Sequence, residues 1–164
     1  MSKLTAKKVC IRRFGLNPVE GYVSPHGYLH KQGIEMLTPT ADSMLIPYDQ
    51  IRAVYFVRKF GSNPEEYQRR EFATRPKLGG LWVRMKFHDG EELEGVMPND
   101  LTIIGHHGVT LIPPDSKGNT HRIFVPSRAM DSFQVMGVIG KPKVKRAPRK
   151  PAVDPGQMGL FGEK

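Results

Sequence analysis

Five residues near the C-terminus, Gln157-Met158-Gly159-Leu160-Phe161, set one side-chain amide among three large apolar groups. That is the chemistry of a docking peptide. An amide offers hydrogen bonds, and three large apolar side chains offer area that a partner can bury. Each anchor so buried contributes ~1.5–3 kcal/mol before the cost of ordering the peptide. The segment leading to them, residues 141–156, is rich in proline and lysine. It has too little apolar area to fold alone, and its prolines keep it extended. Exposed anchors at the end of such a tail cost solubility unless a partner covers them. Lys141, Lys143, Lys145, Arg146, Arg149 and Lys150 put six positive charges into ten residues. A run of this kind attracts polyanions by counterion release, without sequence preference. The plainer alternative is a solubilising tail.

Nothing comparable points to catalysis. His106 and His107 are adjacent, so on a strand they face opposite ways and cannot share a metal ion. His26 and His30 sit in a loop bracketed by Pro and Gly, with no carboxylate or thiol at ligand spacing. Glu92 and Glu94 share a strand face, which would suit a weak cation site, but a solvated edge strand explains them as well. Cys10 lies in an apolar strand without a partner and reads as core. No phosphate-cradling glycine loop is present. The expectation is a protein that is not an enzyme and holds no metal or cofactor.

The composition agrees with a modest folded body. The chain has 164 residues, 38% hydrophobic and 25% charged, with one cysteine and a net charge of +9. Residues 141–164 carry seven Lys/Arg against two acids, and residues 1–140 carry 18 against 14. The body is therefore only mildly basic. No 18-residue apolar run exists to form a membrane helix, and the polar, basic start does not read as a secretory signal. With its lone cysteine, the chain is expected in the cytoplasm.

The body is written twice. Val9-Cys-Ile-Arg-Arg-Phe14 matches Leu81-Trp-Val-Arg-Met-Lys86, and Val19-Glu20-Gly21 matches Leu93-Glu94-Gly95. Gly33-Ile34-Glu35-Met36 matches Gly108-Val109-Thr110-Leu111. Leu45-Ile46-Pro47, with Ile51, Val54 and Phe56 behind it, matches Phe124-Val125-Pro126 with Met130, Phe133 and Val135. Each copy alternates like short strands. Asp89-Gly90 marks a hairpin, the pair supplying positive φ. Gly21 and Gly95, inside strands, mark bulges or bends. The expected fold is mainly β: two tandem small five-stranded barrels, a short helical linker and a disordered basic tail. The boundaries fall at 7–58 for the first barrel, 59–80 for the linker, 81–138 for the second barrel and 139–164 for the tail.

The linker opens on Asn63-Pro64-Glu65-Glu66, a capping side chain, a proline at the first helical position and acids at the positive dipole end. Tyr67 and Phe72 are placed to dock on a barrel. Arg69, Arg70 and Arg75 are candidate phosphate contacts, with a solvated face as the bland alternative. Among the aromatics, Trp82 and Phe87 read as core. Tyr22, Tyr28 and Tyr48 are more open to a base-stacking role at the surface.

Two resemblances add to this. Gln157-Met158-Gly159-Leu160-Phe161 resembles the pentapeptide with which bacterial polymerases and repair proteins grip the DNA sliding clamp. The body resembles the Sm-like and SH3-like small barrels, and Phe87-His-Asp-Gly-Glu-Glu-Leu-Glu-Gly95 looks like the first Sm motif. Leu101, Ile104-Gly105 and Pro126-Ser127 stand where Sm-like proteins keep their RNA-binding residues, so those roles are not carried over. The resemblances imply a non-catalytic accessory protein of bacterial DNA replication or repair. Its partners would be the sliding clamp, held by Gln157, Met158, Leu160 and Phe161, and nucleic acid, most simply DNA. The alternatives are an Sm-like RNA-binding or regulatory protein and a protein-interaction module.

Overall fold

The computed structural model describes residues 5–140. They are mainly β. Repeat one supplies β1 (Lys7–Arg13), β2 (Leu16–Val23), β3 (Gly33–Leu37), β4 (Ser43–Pro47) and β5 (Ile51–Val57). Repeat two supplies β6 (Gly80–Phe87), β7 (Glu92–Met97), β8 (Gly108–Leu111), β9 (Thr120–Pro126) and β10 (Met130–Ile139). Among the described residues no helix is long and apolar enough to cross a membrane.

Pairing registers show the duplication residue by residue. In repeat one Val9 lies opposite Gly21, and in repeat two Val83 lies opposite Gly95. Val9 thus corresponds to Val83, two residues beyond the expected Leu81; the shift keeps the face because strand side chains repeat every second residue. Gly33 opposite Pro47 corresponds to Gly108 opposite Pro126. Pro47 (φ −61°, ψ 144°) and Pro126 (φ −61°, ψ 143°) adopt the same conformation. Each starts a 3-10 turn that hands the chain to the next strand. Gly21 and Gly95 serve close approach rather than a bulge. A Cβ on Gly21 would sit 2.3 Å from the Leu37 carbonyl oxygen, and one on Gly95 would sit 2.9 Å from the Leu111 Cβ. Of the Asp89-Gly90 pair only Gly90 has positive φ (88°). Its amide bonds the Phe87 carbonyl at 3.0 Å.

The expected picture of two separate closed barrels gives way to shared sheets. A seven-stranded sheet runs β4-β3-β2-β1-β5-β9-β8, and a three-stranded sheet runs β10-β6-β7. The β5–β9 ladder joins the repeats directly. The connector contributes one helical turn, α1 (Pro64–Tyr67), capped by Asn63, whose side chain accepts from the Glu65 amide. The side chain of Tyr67 and residues 141–164 lie outside the described residues.

β5, Ile-Arg-Ala-Val-Tyr-Phe-Val, is buried at every position. It is apolar on both faces because it separates two cores. Ala53, Tyr55 and Val57 face one core with Cys10, Val83, Phe87 and most of repeat two. Val54 and Phe56 face the other, with Val9, Ile11 and Phe124. Phe124 is repeat two's contribution to repeat one's core, so neither core belongs to one repeat alone.

The exception on β5 is Arg52, its side chain only 8% exposed. Its guanidinium reaches Asp89 at 2.7 Å, Glu65 at 2.5 Å and Glu91 at 2.5 Å, and lies 4.1 Å from the Phe87 ring centroid. Arg12 adds a bond to Glu65 at 2.7 Å and Arg70 one to Glu91 at 3.0 Å. Three cations and three carboxylates thus close a neutral network across β1, β5, the connector and the β6–β7 turn. Breaking a buried pair on one side costs ~3–5 kcal/mol. Asp89 and Glu91 keep contact with water, which moves the expectation to the low end. Arg52→Ala is expected to lower unfolding free energy by about 3 kcal/mol in urea titration. Arg52→Lys should recover only part, because a single ammonium cannot match the guanidinium fork.

Candidate nucleic-acid interface

Past α1 the connector continues without helix or strand, and its course is set by Glu94 on β7. This carboxylate is 2% exposed. It accepts from the Phe72 amide at 2.9 Å, the Trp82 indole at 3.2 Å and the Arg84 guanidinium at 2.6 and 3.1 Å. The Glu94 amide in turn donates to the Arg70 carbonyl at 2.7 Å. Burial alone would raise its pKa; the Phe72 amide, Arg84 and Trp82 outweigh burial and hold it below the ordinary carboxylate range. Glu94 is therefore neither a solvated edge residue nor half of a cation site. It is the clamp that lays the connector along β7. Trp82 is half-buried, with Phe72 edge-on at 6.4 Å.

The clamped connector and the β8–β9 loop form the walls of a groove of about 440 Å³. Four cations line it, Arg69, Arg75, Lys77 and Lys117, against the carboxylates Glu71 and Asp115. Of the three arginines singled out from sequence, Arg69 lies exposed in this groove. Arg75 also lines it, but its guanidinium donates to the Val138 carbonyl on β10 at 2.8 Å. Arg70 is committed to Glu91. Lys77 and Lys117 were not singled out. They sit 40 residues apart in sequence, and only the connector's path brings them together. The remaining basic candidates, Lys141, Lys143, Lys145, Arg146, Arg149 and Lys150, lie outside the described residues, as do Gln157, Met158, Leu160 and Phe161.

The aromatic platform is not assembled. Tyr28 is buried edge-on against Phe56 (5.8 Å) and Phe124 (6.0 Å), and burial pushes its hydroxyl up to about 12. Tyr48 is buried, stacks on His107 at 5.1 Å and donates its hydroxyl to the His30 carbonyl. Both were expected nearer the surface. They go inside because each repeat contributes few large apolar side chains, and a small sheet must fill its core with what it has. Tyr22 alone of the three stays half-buried, edge-on to Phe60 at 5.4 Å. Among the described residues no three His, Cys, Asp or Glu side chains gather to hold a metal ion.

Glu94 gives the groove a pH dependence. Its folded pKa is depressed, so its stabilisation is present above the ordinary carboxylate range and is lost as pH falls through the folded value. Glu94→Gln is expected to cost about 1.5–3 kcal/mol at pH 7, with a gap to wild type that narrows below about pH 4.5 in acid titrations of urea stability.

No curated protein and no solved structure matches the chain. One family does: over residues 5–137, which take in repeat one, the connector and all but the end of β10 in repeat two, the sequence fits the family of unknown function DUF6982, and the chain belongs to it.

Proposed function

We propose that the protein is a non-catalytic accessory factor of bacterial DNA replication or repair that tethers itself to the sliding clamp. The observation carrying this reading is Gln157-Met158-Gly159-Leu160-Phe161 at the end of a basic, Pro-rich segment. The four anchors of that peptide bind the clamp. The cations at 141–150 hold DNA by charge alone, assisted by Arg69, Lys77 and Lys117 in the connector groove. Weak docking by a short peptide and weak, salt-sensitive DNA contact reinforce one another when both engage, because the second event is intramolecular. The folded body, two repeats of one strand order joined through β5 and β9, is the cargo that the tail localises.

The full chain should bind purified clamp in calorimetry, and Gln157→Ala/Leu160→Ala/Phe161→Ala should lose at least tenfold in affinity. Equal binding by both would sink the reading. Binding to a duplex of arbitrary sequence should weaken linearly with the logarithm of salt concentration. The combined variant Arg69→Ala/Lys77→Ala/Lys117→Ala should show a shallower slope, with no change in clamp binding.

A second reading, an RNA-binding or regulatory protein, draws on the resemblance of Phe87-His-Asp-Gly-Glu-Glu-Leu-Glu-Gly95 to the first Sm motif. It predicts RNA binding that survives removal of residues 141–164, which the tether reading does not.

A further inference from the structure

The ten strands form one unbroken succession of neighbours. β7 and β8 are linked by the Val96–Ile112 bridge, whose two hydrogen bonds measure 2.9 and 2.8 Å. With that link the order is β4, β3, β2, β1, β5, β9, β8, β7, β6, β10. Among the described residues only β4 and β10 keep a side without a strand partner.

The midpoint of that succession is the junction of the repeats. There β5, the last strand of repeat one, pairs with β9, the fourth strand of repeat two. Val54 lies opposite Phe124, Tyr55 opposite Ile123 and Phe56 opposite Arg122. The two free strands are the counterparts of this pair. The Gly33–Pro47 and Gly108–Pro126 registers equate Leu45, Met44 and Ser43 on β4 with Phe124, Ile123 and Arg122 on β9. The Ile11–Val54 and Met85–Phe133 registers equate Phe133, Gln134 and Val135 on β10 with Val54, Tyr55 and Phe56 on β5. The chain therefore carries the same edge-to-edge contact twice, once made and once open.

Burial follows the pairing. Ile123 and Phe124 are 0% and 1% exposed, whereas Met44 and Leu45 are 38% and 47% exposed. Phe56 is 5% exposed, whereas Val135 is 44% exposed. The open edges also lack the usual protection. Lone edges are kept apart by lysines, mid-strand prolines or covering loops. Ser43, Met44, Leu45 and Ile46 carry no charge, nor do residues 132–136. Asp131 is already engaged by His88. Arg75, on the Val138 carbonyl, marks where the open part of β10 ends.

We infer that β10 of one copy pairs antiparallel with β4 of a second copy, in the register of the β5–β9 ladder. Phe133 then lies opposite Leu45, Gln134 opposite Met44 and Val135 opposite Ser43. The occupant is a second copy because the chain has already built this contact from its own two halves. The contact is heterologous, so copies add head to tail, closing a ring if the rotation permits and otherwise extending a filament. The inference stands independently of the clamp and of nucleic acid.

Sedimentation velocity of the full chain over a concentration series tests it. Wild type should exceed the monomer mass as concentration rises. Leu45→Lys and Val135→Lys, both at exposed positions, should each sediment as monomers with unchanged circular dichroism and melting. Mixed together, they should give a dimer and nothing larger, because the first keeps an open β10 and the second an open β4. Ser43→Cys mixed with Val135→Cys should form an intermolecular disulfide under mild oxidation. Cys10 stays out, since it is buried and its thiol is pushed up to about 11. Wild type that remains monomeric throughout, a mixture that gives no dimer, or cross-links only between like positions would each overturn the inference. So would a monomer whose β10 amides lose exchange protection when residues 141–164 are removed, which would assign the edge to the chain's own tail.

Discussion

Arg52 sets a positive charge in the interior, on a strand otherwise made of apolar residues. A guanidinium with little access to water is tolerated only when its donors all find acceptors and its charge is balanced. Glu65, Asp89 and Glu91 supply both, and they come from the connector and the second repeat. The placement of the connector, the approach of the β6–β7 turn and the closing of the junction are thus conditions on one another. If the turn moves away, Asp89 and Glu91 leave and Arg52 is stranded. If α1 unwinds, Glu65 leaves both Arg52 and Arg12. Phe87 beneath the guanidinium ties the network to the larger core.

The network is not repeated, although the sequence is. The register equates Arg52 with Asp131, since Ile51 lies opposite Arg13 and Met130 opposite Phe87 at matching positions. Asp131 turns to its own repeat and pairs with His88. The two nitrogens of His88 face the Asp131 carboxylate and the Arg128 carbonyl, and both raise its pKa, Asp131 most. Repeat one therefore reaches across to repeat two, while repeat two reaches back to itself. The ionic ties of β5 thus reach the connector and the β6–β7 turn of repeat two, whereas β10 is left with backbone donors and a few apolar side chains.

Local signals in the sequence were enough for the strands, the paired prolines and the Asn63 cap. Each depends on neighbours within a few residues, so the chain's own pattern carries it. Gly21 and Gly95 stood out as well, but as bulges or bends where the structure shows close approach. The joining of the repeats was not visible. β5 reads as a buried strand either way, and whether its second face meets a closed barrel or another repeat depends on contacts 60 to 70 residues distant. The role of Glu94 was hidden for a similar reason. An acid two residues from another acid looks solvated until the Phe72 amide and Arg84 are brought to it. Tyr28 and Tyr48 were misplaced because a tyrosine serves equally as core or as surface platform, and only the volume left by its neighbours decides. In the groove, Arg69 and Arg75 were legible from a local cluster, whereas Lys77 and Lys117 needed the fold to become neighbours.

The two kinds of edge also differ in strength, on physical grounds. The inner junction combines a backbone ladder, full burial of Tyr55, Phe56, Ile123 and Phe124, and the Arg52 network. An outer β10–β4 contact offers the ladder and the burial of Met44, Leu45 and Val135. In place of Arg52 it has Asp131, already satisfied by His88. A contact without that ionic support, and with partners free in solution rather than on one chain, must also overcome the loss of translational and rotational freedom. It is therefore the weaker of the two by construction, so the folded chain persists while assemblies of it come apart. Two differences therefore act in the same direction: Arg52 stands where the outer edge has Asp131, and the inner pair is held on one chain whereas the outer pair must be brought together from solution.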